Sequence, residues 1–377
     1  MTGKPSLLFF TNLHPLPWQP TRATYNGEET KFLSEHYEIK KLIPVPWFVW
    51  LKKIVLNKHR VPDNTCIFPF LYVPKVLTSL HPLMMLISVI VSVKPLMWLV
   101  KADRVIASWS YAEGVTAAFF KKVSKGKLII ETLGSDVNAL MEKPFHRAQM
   151  RWAFNNADVV TGKSIALVKA IANHAPKTNT SVVYNGVDFN TFSLRPHPIF
   201  REQQIRLLFI GSLIKTKGIE ELIGAMALMK TNVTSIVLDI IGDGELIQKV
   251  RNEVKVNKLN ENINILGSVA HDQLLPYLHN ADALILPSYR EGVPNVVMES
   301  LATGTPVIVT KVGGIPEVVT DCSNGVFIDD LNSQGIVEAI YKLTQRHWNP
   351  EFIRSSISQF TWSNTADQIR GLLEKND

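Results

Sequence analysis

At 377 residues, 46% apolar and 19% charged, the chain is long enough for two domains with full cores, and its composition excludes a disordered or fibrous polypeptide. Its two cysteines, Cys66 and Cys322, are far apart and without companions at metal-ligand spacing, which argues against a disulfide framework or zinc site and favours a reducing compartment. Charge is unevenly shared: residues 1–190 carry 23 Lys and Arg against 12 Asp and Glu, a net of +11, and the remainder 17 against 21, a net of −4. A basic first half calls for an anionic partner or surface. No nucleic-acid-binding module and no interleaving of bases with stacking aromatics accompanies it, so nucleic acid is not expected and a membrane surface fits better.

The chain opens on an apolar run, residues 7–10, that reads as a first strand and not as a signal peptide, since no long apolar region or small-residue cleavage site follows. The loop from His14 to Arg22 then forms a rim. Residues 46–56 mix Trp47, Phe48 and Trp50 with Lys52 and Lys53, as an interfacial helix does. Residues 83–100 are nearly all apolar, but Lys94 and Pro95 leave an uninterrupted run of only about a dozen, short for a bilayer span; one or two core helices are expected there.

Strands are predicted at 104–107, 127–131, 159–161 and 181–184, and a second series at 206–210, 235–241, 263–266, 283–286, 306–310 and 326–328. Short apolar strands separated by helical stretches indicate parallel sheets built from crossover units. Two Rossmann-like α/β domains follow, 1–190 and 191–362, with the boundary near residues 185–204, where a turn and two prolines interrupt regular structure. Ligands in such domains bind at the carboxyl ends of the strands, which predicts a site in a central cleft that the two domains face.

Function is densest in residues 287–299. An apolar strand leads through Glu291, Gly292, Val293 and Pro294 into a predicted helix that carries Glu299. Gly292 lets the backbone approach a ligand, Pro294 suits a first helical turn, and the amides of Val293, Asn295 and Val296 can face a phosphate or a hydroxyl. Two carboxylates spread across a helix start suit a polyol. Downstream of strand 206–210, Gly211, Ser212 and Lys217 bring a glycine-edged loop and a cation to a second helix start, where a diphosphate is neutralised; the spacing is not that of a Walker loop. Asp243 reads as a turn residue and Asp272 as a helix cap. In the first half, Gly134, Ser135 and Asp136 follow a strand and can hold an acceptor hydroxyl, Asp136 doubling as a possible cap for the next helix. Trp109 begins an aromatic and polar wall that suits a sugar face.

Together these residues resemble the family 4 glycosyltransferases of the GT-B fold, most specifically through Pro287-Ser288, Glu291 to Asn295, Glu299, Gly304-Thr305-Pro306-Val307 and Gly313-Gly314-Ile315-Pro316-Glu317 in family order. The resemblance implies that Glu291 faces the reacting carbon of a donor sugar, that Gly292 to Val296 hold sugar and phosphate, that Glu299 binds ribose and that Lys217 binds the diphosphate. It also implies retention of anomeric configuration, no obligatory metal or other cofactor, and a terminal helix, about 363–377, returning to the first domain. Two departures stand out: Ser212 occupies a position where the family often has arginine, and Leu133 one where it often has histidine.

The expected enzyme is a hexosyltransferase taking a sugar from a nucleoside diphosphate to a lipid-linked, lipopolysaccharide or exopolysaccharide acceptor. Glu291, Lys217 and Asp136 are its expected catalytic residues, Trp109, Gly134, Ser135 and Asp136 its acceptor side. The expected location is the cytoplasm, peripheral on the inner face of the cytoplasmic membrane. A nucleotide-sugar epimerase, which needs no acceptor, and a non-catalytic membrane-bound sugar-binding module are the alternatives.

Overall fold

The computed structural model describes residues 4–72, 76–124, 126–200, 204–230 and 236–375. The chain folds as two compact units, Met1–Gly186 with Trp362–Asp377, and Val187–Thr361.

The first unit is built on a seven-stranded parallel sheet of order β3-β2-β1-β4-β5-β6-β7. Its strands are β1 (Ser6–Phe10), β2 (Glu38–Pro46), β3 (Thr65–Phe70), β4 (Arg104–Ser108), β5 (Lys127–Thr132), β6 (Val159–Gly162) and β7 (Thr180–Val182). Covered on both faces, the central strands are continuous apolar runs; Leu7, Phe9, Phe10, Ile106 and Ile130 are fully buried. The last strand is three residues long and ends at Val182, short of the predicted 184. Two strands, β2 and β3, were not expected, because prolines and lysines mask them. Pro44 and Pro46 are tolerated because β1 pairs with β2 only from Glu38 to Leu42, so the missing amides fall beyond that ladder. The helix Trp362–Glu374 packs Ala366, Ile369 and Leu373 against Leu7 and Phe9 of this unit. Of the predicted terminal helix, residues 376 and 377 lie outside the described residues.

The second unit holds a six-stranded parallel sheet, β10-β9-β8-β11-β12-β13. These strands are β8 (Ile205–Ile210), β9 (Ile236–Ile241), β10 (Ile263–Gly267), β11 (Ala283–Leu286), β12 (Val307–Thr310) and β13 (Gly325–Ile328). The predicted first residue of β9, Ser235, lies outside the described residues. In each sheet the strand order reverses once, between β1 and β4 and between β8 and β11, and open α/β sheets bind ligands beyond the carboxyl ends at such a point.

The two apolar segments of the first unit differ from ordinary core helices. Trp47–Trp50 is α-helical and runs on as a π-helical segment, Leu51–Leu56, and neither has a fully buried residue. Trp50 and Ile54 lean on Val45 and Ile67, while Trp47, Phe48, Leu51 and Val55 face outward along one stripe. On the opposite face of edge strand β3, helix His81–Val91 buries Met85 and Val89 but exposes Leu83, Ile87, Ile90 and Val91. No single helix among the described residues is long and apolar enough to cross a membrane; Thr78–Val91 and Val93–Lys101 qualify by length and composition only as a pair bent by 100°.

Candidate active site

The predicted donor residues converge at the carboxyl ends of β8, β11 and β12, three neighbours in one sheet. Glu291 Oε1 accepts hydrogen bonds from Lys217 Nζ at 2.5 Å and from Ser288 Oγ at 2.6 Å. Lys217 comes from the loop after β8 and Glu291 from the loop after β11, and backbone contacts lock the latter to the former and to the loop after β12. The Tyr289 amide donates to the Thr216 carbonyl at 2.9 Å, and the Gly314 amide to the Gly292 carbonyl at 2.9 Å. Two glycines make the approach possible. A Cβ on Gly218 (φ 65°) would lie 1.9 Å from the Pro287 carbonyl oxygen, and one on Gly313 (φ 56°) 1.9 Å from that of Glu291.

Helix Asn295–Ala302 starts one residue later than expected. Pro294 is its N-cap and not a first-turn residue, and its carbonyl accepts the amides of Val297 at 3.1 Å and Met298 at 3.3 Å. Among the described residues the amides of Gly292, Val293 and Val296 have no hydrogen-bond partner, so they point a cluster of donors at whatever occupies the helix start. The Val293 side chain itself is buried, leaving its backbone to serve the site. Gly211 follows β8 with its amide on the Ile241 carbonyl, and Ser212 beside it is exposed and brings no cation.

Glu299 is buried on that helix. Its Oε1 meets His271 Nε2 at 2.7 Å, whereas Oε2 is buried with no partner among the described residues. A buried carboxylate oxygen left without a donor is free to accept one. His271 stands edge-on to Phe192, ring centroids 5.4 Å apart. Asp272 is not the predicted cap: neither the 3-10 turn His271–Gln273 nor helix Leu275–Asn280 has a side-chain cap. Asp243 does hold its turn, accepting the Gly244 amide at 2.7 Å.

The acceptor-side prediction needs correction at Asp136. Its carboxylate is fully buried and turned back into the protein. Oδ1 accepts the amides of Leu133 (3.1 Å), Gly134 (2.9 Å) and Val137 (3.1 Å), and Oδ2 accepts the Ser110 amide (3.2 Å) and hydroxyl (2.7 Å). Burial raises its pKa above the usual carboxylate value, and the hydrogen bonds from Ser110, Gly134 and Leu133 oppose that rise. With five donors around it, Asp136 ties the loop after β5 to the loop after β4 and offers nothing to a reacting atom. Gly134 (φ 115°) gives its amide to this tie, and Ser135 is the N-cap of the next turn without a side-chain bond. The tied loop is strained: Trp109 has φ 113° and Ala112 has φ 67°.

Two buried acids in this unit were not singled out from sequence. Glu113 Oε1 accepts the Asn12 amide at 3.1 Å and Oε2 is unpartnered among the described residues; burial raises its pKa to about 8. Glu29 is likewise raised to about 8, by burial and then by Glu131, although Lys163 Nζ bridges it at 2.9 Å and Glu131 at 3.3 Å.

The model of the family described as glycosyl transferases group 1 matches residues 191–351, the stretch that carries every donor-side residue above. An uncharacterized glycosyltransferase of Methanocaldococcus jannaschii is 28% identical over 285 residues, 72% of this chain and 75% of its own. The chain is a glycosyltransferase. Amylovoran biosynthesis glycosyltransferase AmsK of Erwinia amylovora is 24% identical to the enzyme over 252 residues, 65% of this chain and 62% of its own. HepE of Anabaena, solved in complex with UDP, superimposes with a TM-score of 0.71 at 19% identity, covering 98% of this chain and 99% of that one. The glycosyltransferase thus has the GT-B fold, and its reaction is sugar transfer.

Proposed function

We propose that the enzyme transfers a hexose, with retention of anomeric configuration, from a nucleoside diphosphate sugar to a lipid-linked or surface-polysaccharide acceptor. The reading rests above all on the meeting of Lys217, Ser288 and Glu291 beside the unpartnered amides at the start of helix Asn295–Ala302. In it, Lys217 and those amides take up the negative charge of the leaving diphosphate, so that no metal is obligatory. Glu299 Oε2 receives ribose hydroxyls while His271 holds Oε1. Glu291 then faces the sugar carbon that gains positive charge in the transition state. UDP is the favoured nucleotide, in line with the ligand bound by HepE, and a polysaccharide pathway agrees with the named role of AmsK.

A membrane-surface location is part of the same proposal. The outward stripe Trp47, Phe48, Leu51 and Val55, flanked by Lys52 and Lys53, matches an interface helix on an anionic bilayer, here the inner face of the cytoplasmic membrane.

The deciding experiment measures release of UDP and transfer of labelled sugar from a panel of UDP-sugars into a crude lipid-linked saccharide extract, with EDTA present. Glu291→Gln should lower kcat by about 10²–10³-fold, the scale of one lost transition-state electrostatic contact, while UDP still binds. Near-normal transfer by that variant refutes the assignment. Epimerised donor in the absence of extract identifies the epimerase alternative instead, and donor binding without turnover the binding module.

A further inference from the structure

The unit Met1–Gly186 with Trp362–Asp377 contains a pocket of about 480 Å³ beyond the carboxyl ends of β1 to β4, at its own strand-order reversal. Trp109, Tyr72 and Phe70 are among its walls, and none of the thirteen residues lining it is a carboxylate. Arg22 lines it too, and among the described residues its guanidinium has no hydrogen-bonded or ion-paired partner. An acid within electrostatic reach of it, Glu113, stands behind Asn12 and is held neutral at physiological pH by burial, so it does not offset that positive charge. His146 contributes a buried Nε2 without a partner among the described residues, in a residue 4% exposed. Part of the wall is the strained Trp109 to Ala112 backbone that Asp136 clamps, and strain of this kind persists where it shapes a site.

We propose that this pocket seats the acceptor by an anionic group on a sugar ring, a carboxylate or a phosphate, bound by Arg22, with a ring hydroxyl on His146 Nε2 and the apolar ring face along Trp109. An unpaired guanidinium in an aromatic pocket recognises an oxyanion in a way that a neutral sugar cannot exploit. The inference rests on the glycosyltransferase reading and adds the charge of the acceptor, which that reading leaves open.

The test is calorimetry or saturation-transfer NMR on the full chain with methyl glucuronide, glucose 1-phosphate and methyl glucoside. One or both charged probes should bind about tenfold or more tightly than the glucoside, the range for a hydrogen bond to a charged group, and Arg22→Gln should erase the difference. Preference for the glucuronide identifies a uronate, preference for the phosphate a phosphosugar. Equal binding of charged and neutral probes, no binding of any, or an intact preference in Arg22→Gln overturns the proposal. UDP affinity and donor turnover measured on the same wild-type sample report on the unit Val187–Thr361, so failure of the donor reading shows separately.

Discussion

Replacing Asp136 by Asn separates a clamp from a catalyst. The single oxygen of the amide can keep the three donors of the β5 loop, Leu133, Gly134 and Val137, which leaves the new NH₂ group against Ser110. The Ser110 hydroxyl can rotate to accept from it, but the Ser110 amide then confronts another donor in a fully buried site. One orphaned buried donor costs about 1–3 kcal/mol. With a urea m-value of about 2–3 kcal/mol/M, the unfolding midpoint should fall by roughly 0.3–1.5 M. Tryptophan fluorescence is a suitable probe, because seven of the eight tryptophans, all but Trp348, belong to the unit that holds Asp136. UDP binding should be unchanged. An unaltered midpoint together with a kcat lowered by orders of magnitude at constant KM would refute this reasoning and return Asp136 to the reacting atoms.

Glu113 makes stability depend on pH in a definite direction. Its carboxyl titrates near 4.5 when unfolded and about 8 when folded, so the folded state holds the extra proton between those values and stability declines as pH rises from about 4.5 to 8. The loss amounts to about 3 kcal/mol by pH 7 as an order of magnitude. Glu29 adds a slope of the same sign, so the useful quantity is the difference between wild type and Glu113→Gln in urea melts at pH 5 and 8.5. The Glu113→Gln variant should gain on wild type across that interval, and a constant difference contradicts the assignment. At the membrane, co-sedimentation with vesicles containing phosphatidylglycerol should show binding that salt weakens. Replacing Lys52 and Lys53 by Gln should cost about 1 kcal/mol each. Equal binding to purely zwitterionic vesicles, or none to either, rejects the membrane face.

Much of the candidate site in the second unit was legible because its residues are local in sequence. Glu291, Gly292 and Glu299 stand in one short run after an apolar strand, and the glycines that admit Lys217 to Glu291 stand where backbones must nearly touch. His271 was not legible: it is 28 residues from Glu299 and reads as an ordinary helix entry, and only the folded unit brings them to 2.7 Å, from the segments after β10 and β11. Asp136 was misjudged for a related reason. A Gly-Ser-Asp at a strand end looks the same whether the carboxylate faces a ligand or its own loop, and the five donors that decide it come from two separate loops. Residues 83–100 show the limit of hydropathy, since His81–Val91 is apolar on its buried and exposed sides alike. Arg22 carried no signal by itself, because a lone arginine in a loop gains meaning only from the pocket without a carboxylate in its lining that it joins.

The chain path has a consequence for how the enzyme comes to be assembled. It leaves the first unit after Gly186 and rejoins it at Trp362, and the two crossings lie together: Val187 bridges Thr361, and its amide bonds the Phe360 carbonyl at 2.9 Å. Everything between is one uninterrupted segment that holds all its own strands. On the ribosome that segment can fold as soon as it emerges, whereas the unit made first must wait for Ala366, Ile369 and Leu373 to cover Leu7 and Phe9. The order of completion therefore runs opposite to the order of synthesis: the unit Val187–Thr361 matures early, and the unit bearing the basic, apolar surface is finished last.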